Sequence, residues 1–343
     1  MKIAVFDTKD YDKLSLEKYA KEKGIEFKYF EARLNEDTVS LADGFEGICV
    51  FVNDDLNKNV IDQLYKYGVK AIFLRCAGFN NIDLTACFGK IHVYRVPAYS
   101  PHAVAEHAFS LLLTSNRRIH KAYNRIREYN FSLSGLTGMD LYGKTIGVIG
   151  TGKIGKCFIN IAKGFGMKVL AYDKFPTPIE DVKYTDLHTL FKESDIISLH
   201  CPLLEDTYHL IDDKAMSMMK DSVIIINTSR GALIDSEALL KNIKERKIGA
   251  ALLDVYEEES DIFYEDKSNR IMDDNILLQL IAMPNVLITS HQGFLTKEAL
   301  DNIANTTTSN ILCFESKHSC DNEICYHCSN MNDCKKKRRE KCF

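Results

Sequence analysis

Short apolar runs recur along the chain, at Ile3 to Phe6, Gly47 to Val52, Ala71 to Leu74, Thr145 to Ile149, Lys168 to Tyr172, Ile196 to Leu199, Val223 to Asn227, Ile248 to Leu253 and Val286 to Thr289. Each is strand-sized, and a longer stretch of mixed polarity separates it from the next. That alternation predicts parallel strands buried on both faces and wrapped by crossover helices. Segments such as Asp10 to Lys23, amphipathic and polar, fit the crossovers. The run AVAEHAFSLLLTSNRR, Ala103 to Arg118, follows Pro101 and is richly apolar. It reads as a long helix buried between two domains, in the manner of a hinge. The first residues, Met1 to Asp7, read as a strand and not as a secretion signal. Nothing repeats at a solenoid period.

The glycines divide this rhythm. TIGVIGTGKIG, Thr145 to Gly155, places Gly150, Gly152 and Gly155 as G-x-G-x-x-G directly after an apolar strand. The first glycine permits a tight turn, the second lets a pyrophosphate approach the backbone, and the third lets helix and strand touch. The phosphates then meet the positive end of the following helix. Three glycines alone are a weak signal, since a structural turn can match them. Asp173, at the end of the next strand, adds a carboxylate at the distance expected for a ribose 2′-hydroxyl. It favours NAD over NADP by repelling a 2′-phosphate, although Lys174 beside it pulls the other way. Because the motif begins only at Gly150, a first α/β unit of about 100 residues must precede the cofactor domain. The expected plan is an early domain, an inserted cofactor domain and a return near residue 294.

Composition narrows the partners. With 343 residues, 45% hydrophobic and 27% charged, the chain is long enough for two domains with sizeable cores. Its net charge of −4 gives no electrostatic reason to expect nucleic acid or an anionic membrane, so a small molecule is the expected partner. No apolar run approaches the roughly 20 residues needed to span a bilayer, and a cytoplasmic location is expected. Of 11 cysteines, Cys49, Cys76, Cys87, Cys157 and Cys201 are scattered through the body and read as thiols packed like small apolar groups.

Three polar residues fall just past predicted strands, where α/β sheets place ligands: Arg230 after VIIINTS, Glu259 after LLDVYEE and His291 after VLITS. Reduction of a 2-keto acid needs a proton donor at the carbonyl oxygen, a fixed cation for the carboxylate and a hydride. A histidine titrates near neutrality and can give or take that proton. A neighbouring carboxylate stabilises the imidazolium, and an arginine fork matches a carboxylate with two parallel hydrogen bonds. Any one of these residues is more often an ordinary surface group. Spacing does not separate Glu259 from Glu257 or Glu258.

The runs LRCAGFNNID, VPAYSPHAVAEHAFSLLLTSNRR, GKTIGVIGTGKIG, LHCPL, NTSRGALIDSEAL, LDVYEEE and ITSHQGFLTKEAL together resemble the lactate-type members of the D-2-hydroxyacid dehydrogenase family. The resemblance covers nearly everything up to Glu323. It implies two Rossmann- or flavodoxin-like parallel-sheet domains. The substrate and catalytic domain comprises residues 1–100 and 294–324, the inserted NAD-binding domain comprises 101–293, and the two close over the substrate. It also implies Arg230 as the substrate-binding arginine, His291 as acid/base and Glu259 as its partner. Lys153 and Ile154 are placed at the pyrophosphate and Asp173 at the ribose. Cys201, Pro202, Thr207, Thr228, Ser229 and Asp254 are placed along the nicotinamide side. The backbone at Ala77 and Gly78 is implied to hold the substrate carboxylate, and Phe51, Tyr99 and Phe294 to enclose a small side chain. Phe51 and Phe294 serve equally well as core residues on sequence grounds. The implied reaction is reversible hydride transfer between NADH and pyruvate, giving D-lactate, in a homodimer or higher homo-oligomer. A bulkier 2-keto acid, or an NAD-sensing binding protein of the corepressor type, is the alternative; a phosphorylated acid would need cationic groups that these positions lack.

Beyond Glu323 the resemblance stops. Cys320, Cys325, Cys328 and Cys334 give C-x4-C-x2-C-x5-C, with His327 and Cys342 nearby, a spacing chemically compatible with zinc or an iron–sulfur cluster. Apolar residues are few and Lys335 to Arg339 is entirely basic. Residues 325–343 are therefore expected to form a flexible, solvated extension, and no metal is expected.

Overall fold

The computed structural model describes residues 1–316 and 320–326. They form two compact units, Met1–Ser100 with Leu295 onward, and Pro101–Phe294.

The first unit opens with β1 (Lys2–Val5), α1 (Asp10–Lys23), β2 (Glu26–Tyr29), β3 (Gly47–Val50), α2 (Lys58–Lys66), β4 (Ala71–Leu74), α3 (Leu84–Cys87) and β5 (His92–Arg95). Helix α1 starts on acidic Asp10 and Asp12 and stops at Gly24, whose φ of 66° closes the last turn in the left-handed region. The second unit contains α4 (Pro101–Asn116), α5 (Ile119–Arg127), β6 (Thr145–Ile149), α6 (Lys153–Gly164), β7 (Lys168–Tyr172), β8 (Val182–Tyr184), α7 (Leu187–Glu193), β9 (Ile196–Leu199), α8 (Asp213–Met218), β10 (Val223–Asn227), α9 (Ser236–Lys244), β11 (Ile248–Leu253), α10 (Asn275–Ala282) and β12 (Val286–Ile288). Side chains of Asp186, Asp212, Asp235 and Asp274 accept first-turn N–H groups of α7, α8, α9 and α10. Such caps fix where each crossover helix begins. The chain then returns to the first unit as α11 (Lys297–Glu315) and β13 (Glu323–Ile324).

The first sheet runs in the order β13-β5-β4-β3-β1-β2, with only β13 antiparallel. The second runs β12-β11-β10-β9-β6-β7-β8, all parallel. The strand order reverses between β1 and β3 in one sheet and between β6 and β9 in the other, and such switch points open crevices at the carboxyl ends of the strands. The apolar rhythm predicted the parallel strands, and these orders are the flavodoxin-like and Rossmann ones that the resemblance implied. The second unit's core packs Ala105, Ala108, Phe109 and Leu112 of α4 with Phe158, Ile159 and Ala162 of α6. The apolar run at Ala103 is thus a core helix of the second unit.

The periodicity missed β2, β5, β8 and β13. β2 and β8 are edge strands whose exposed faces carry charged residues such as Glu26, Lys28 and Lys183, which break an apolar run. Strand β5 carries half-buried His92 and Arg95 at its ends. β13 has two residues and pairs Glu323 with Tyr94. Of the expected flexible extension only Cys325 and Tyr326 are described: Cys325 is buried, as is Cys320 before it, and Tyr326 sets its ring edge-on to Phe88. The remaining tail positions, including His327, Cys328, Cys334 and Cys342, lie outside the described residues. Among the described residues no group of His, Cys, Asp or Glu could hold a metal, and no helix is long and apolar enough to cross a membrane.

Candidate active site

The dinucleotide motif is built as its spacing requires. Gly150 directly follows β6 with φ 95°, and a Cβ there would fall 2.6 Å from the backbone of His200 and Cys201. A Cβ on Gly155 would fall 2.1 Å from Gly150 O, so helix α6 can approach the strand only with glycine at this position. Gly152 caps α6 and faces open space, leaving room for a pyrophosphate against the helix end. Lys153 and Ile154 form the first turn, Lys153 exposed and Ile154 half-buried on the core.

Asp173 follows β7. Its Oδ2 accepts from Thr151 N at 2.6 Å and Thr151 Oγ1 at 3.0 Å, and its Oδ1 from Phe175 N at 2.8 Å. Burial alone would raise this carboxyl, but those hydrogen bonds and the Lys156 charge hold it below the usual carboxylate range. The anion therefore persists at neutral pH, as ribose recognition requires. Lys174, the sequence argument for NADP, pairs with Asp206 at 2.5 Å, which neutralises it.

Past β9, burial pushes the half-buried Cys201 thiol up to about 11, so it is an inert lining group. Thr207 Oγ1 donates to Pro202 O at 2.8 Å and closes the loop that follows. Past β10, Ser229 Oγ donates to Leu199 O at 2.8 Å. Thr228 Oγ1 is buried and, among the described residues, has no hydrogen-bond partner. An orphaned buried hydroxyl past the end of β10 suits a bound polar ligand, and together these residues fit a dinucleotide.

The catalytic candidates stand on three neighbouring loops of the same sheet. Asn227 Nδ2 donates to Arg230 O at 2.8 Å and its Oδ1 accepts from Ser229 N, which fixes the turn that presents Arg230. The guanidinium is half-buried and, among the described residues, no carboxylate pairs with it; Nη1 donates only to Ser229 O. Gly231 lets this turn touch the next, since a Cβ there would fall 2.0 Å from Tyr256 C. Glu259 opens a short 3-10 turn past β11, with Oε2 accepting from Tyr256 N at 2.8 Å. Its Oε1 lies 2.7 Å from His291 Nδ1, both side chains being 20% exposed. Glu257 instead meets His209 Nε2 at 2.6 Å, and Glu258 lines a separate cavity, so geometry separates three adjacent glutamates where spacing could not. That cavity, about 730 Å³, is lined by His209, Asp235, Glu237, Glu257, Glu258 and Asp274. Its carboxylates repel an anionic keto acid, and Arg230, Glu259 and His291 do not line it.

Asp254, which the resemblance puts along the nicotinamide side, has its carboxylate engaged within the protein. It is 1% exposed, and its oxygens take hydrogen bonds from Thr289 Oγ1 at 2.6 Å, Gln292 N at 2.9 Å and Gly293 N at 2.8 Å. His107 Nε2 lies 3.1 Å away. The side chain thus holds the His291 loop. His107 was not singled out by sequence, because nothing local marks a helix histidine whose partner lies 147 residues further on.

In the first unit, Phe51 follows β3 and is buried; the Arg75 guanidinium lies over its ring, 4.9 Å from the centroid. Asp54 fixes the local backbone by accepting from Phe51 N and Leu34 N, each at 2.6 Å. Ala77 O accepts from Arg95 Nη1 at 2.9 Å and Gly78 O from Cys76 Sγ at 3.2 Å. Among the described residues the N–H groups of Ala77 and Gly78 meet no acceptor. Tyr99 is half-buried, its carbonyl accepting from Asn302 Nδ2 at 2.7 Å. Phe294, the last residue of the second unit, is buried.

Comparison with known proteins agrees with this chemistry. A family model described as D-isomer specific 2-hydroxyacid dehydrogenase, NAD binding domain, matches residues 109–293. D-lactate dehydrogenase of Escherichia coli is 53% identical over 329 residues, covering 94% of this chain and 100% of that protein. The apo-structure of the Escherichia coli D-lactate dehydrogenase matches with a TM-score of 0.87 at 50% identity, over 94% of this chain and 100% of that one. The pyruvate reductase of Chlamydomonas reinhardtii matches with a TM-score of 0.89 at 42% identity, over 94% and 98%. The likeness extends well beyond the glycine motif to the segments carrying Arg230, Glu259 and His291, and the chain belongs to the D-isomer specific 2-hydroxyacid dehydrogenase family, with NAD as its cofactor.

Proposed function

We propose that the chain is a D-lactate dehydrogenase, reducing pyruvate to D-lactate with NADH and running reversibly, with His291 as acid/base. The observation that carries this reading is the 2.7 Å contact between His291 Nδ1 and Glu259 Oε1 in the unit that holds the dinucleotide motif. Glu259 takes the Nδ1 side, which leaves Nε2 to deliver the proton to the carbonyl oxygen. The carboxylate also fixes the orientation of the ring. Arg230, with no carboxylate partner among the described residues, binds the substrate carboxylate through its fork, and the family resemblance assigns the Ala77 and Gly78 backbone to the same carboxylate. NADH, when bound, supplies the hydride to the carbonyl carbon. Asp173 and the turn from Gly150 to Gly155 hold the ribose and pyrophosphate, with Cys201, Pro202, Thr207, Thr228 and Ser229 lining the nicotinamide side. Phe51, Tyr99 and Phe294 limit the substrate to a small side chain. On this reading residues 1–100 and 294–324 carry substrate recognition, and the enzyme works in the cytoplasm, where NADH and pyruvate meet.

The test is NADH oxidation with pyruvate against 2-ketoisocaproate, 2-oxoglutarate and hydroxypyruvate, with the chirality of the product determined. Preferred turnover of pyruvate to D-lactate supports the assignment. Preference for a larger keto acid would keep the mechanism and change the substrate, and no turnover would overturn both.

We further infer a homodimer or higher homo-oligomer joined through the second unit. Helix α5 buries none of its side chains, exposes Ile119, Tyr123 and Ile126 at helical spacing, and leads into exposed Tyr129, Phe131 and Leu133. An apolar face of this extent suits a second copy. Sedimentation velocity should show an oligomer that Ile126→Asp weakens; a monomeric parent would rule it out.

A further inference from the structure

The acid/base histidine adopts a backbone conformation that it would not choose alone. His291 has φ 51°, in the left-handed region, where a non-glycine residue is held against about 1–3 kcal/mol of strain. What holds it is Asp254. The Asp254 carbonyl accepts from His291 N at 2.7 Å, and its carboxylate accepts from the next two backbone N–H groups, of Gln292 and Gly293. Gly293 is required for this grip, because a Cβ there would fall 2.9 Å from Asp254 Oδ2. One carboxylate thereby sets the loop that carries the proposed proton donor.

Asp254 is in turn gripped from the helix side. His107 Nε2 lies 3.1 Å from both Asp254 Oδ1 and Thr289 Oγ1, and Thr289 Oγ1 donates to the same Asp254 oxygen at 2.6 Å. With the Thr289 hydrogen committed to Asp254, both neighbours face His107 as acceptors. The ring nitrogen between them must therefore carry a proton and donate to the pair. We propose that His107 is a positioning residue of this enzyme: from helix α4 it locks the Asp254 and Thr289 side chains, and through them the backbone of His291. The inference rests on the assignment of His291 as acid/base. A small error in the position of a reacting group is expensive, about 100-fold for a misplacement of about 1 Å, so the effect should appear in kcat.

His107→Phe keeps a ring in the helix and removes the donor, whereas His107→Gln returns an N–H near the Nε2 position. The phenylalanine variant should lose about 10- to 100-fold in kcat with pyruvate. NADH affinity by fluorescence titration should stay within about twofold, and the glutamine variant should recover most of the loss. In a His291→Gln background His107→Phe should add little further loss, because two residues acting through one group are not additive. Unchanged turnover in His107→Phe would overturn the proposal. So would equal loss in both His107 variants, or full additivity with His291→Gln. The single variant His291→Gln tests the underlying assignment separately: if it alone turns over normally, the acid/base reading fails whatever the His107 variants do.

Discussion

Both sheets end a central strand on a loop that carries an arginine, and the two side chains meet opposite surroundings. Arg75, directly after β4, is 1% exposed. Its Nη2 donates to Asp7 O at 2.6 Å, its Nε faces Asp12 Oδ1 at 3.4 Å, and Asp54 and Cys49 lie close by. Arg230, three residues after β10, is half-buried with no carboxylate partner among the described residues. A buried cation among carboxylates is already neutralised and serves structure; a partly open one without an anion is ready for a ligand that brings one. The histidines divide in the same way. His291 faces a carboxylate at 2.7 Å, whereas His200, directly after β9, packs its ring against Phe158 and, among the described residues, has the Ser198 hydroxyl as its one polar side-chain partner. Position past a strand end marks a candidate, and the partners decide its work.

The comparison is broken most directly at the histidine with the carboxylate. His291→Gln should lower turnover about 10²- to 10⁴-fold, the usual range for a lost general acid, while NADH still binds as judged by fluorescence titration. Turnover near that of the parent would remove His291 from the proton path and leave the pairing with Glu259 without a catalytic meaning.

The arginines should then separate by which property fails. Arg75→Met strands buried carboxylates and should lower unfolding stability by about 3–5 kcal/mol in urea. Arg230→Met should leave the urea midpoint nearly unchanged and abolish useful keto-acid binding. Arg230→Lys, which keeps the charge but not the fork, should raise the KM for pyruvate by about tenfold, the loss of one charge-assisted hydrogen bond. A stable Arg75→Met, or an Arg230→Met as unstable as the Arg75 variant, would erase the distinction.

How far the sequence showed this depends on whether each feature is local. The glycines at positions 150 and 155 were legible because backbone lies within 2.6 Å of where each Cβ would sit, a constraint that fixes residue type at fixed spacing. Arg230, Glu259 and His291 were legible only through the runs around them, since no spacing rule distinguishes Glu259 from the glutamate that faces His209. The structural role of Arg75 was hidden, as its partners Asp7 and Asp12 stand 68 and 63 residues earlier. His107, and its pairing with Asp254, were hidden for the same reason. Most buried strands declared themselves by apolar runs, whereas β5, with His92 and Arg95 at its ends, and the edge strands β2 and β8 did not, because charged or polar positions interrupt the run.

The smallest effect sharpens the contrast between the histidines through pH. Burial pushes the His200 imidazole down to about 3, and its Nδ1 has no partner among the described residues. An unfolded chain protonates this ring near its ordinary value of about 6.5. Between those limits the unfolded state therefore binds a proton that the folded state refuses. The stabilising contribution is complete above about pH 6.5 and is lost as pH falls towards 3, by at most about 1.4 kcal/mol per pH unit. His200→Gln removes the titration while keeping an amide near Ser198 Oγ. Urea midpoints measured from pH 7 to pH 4.5 should fall more steeply in the parent than in this variant. Parallel curves would mean that His200 takes up its proton in the folded protein too, and so is not the closed counterpart of His291.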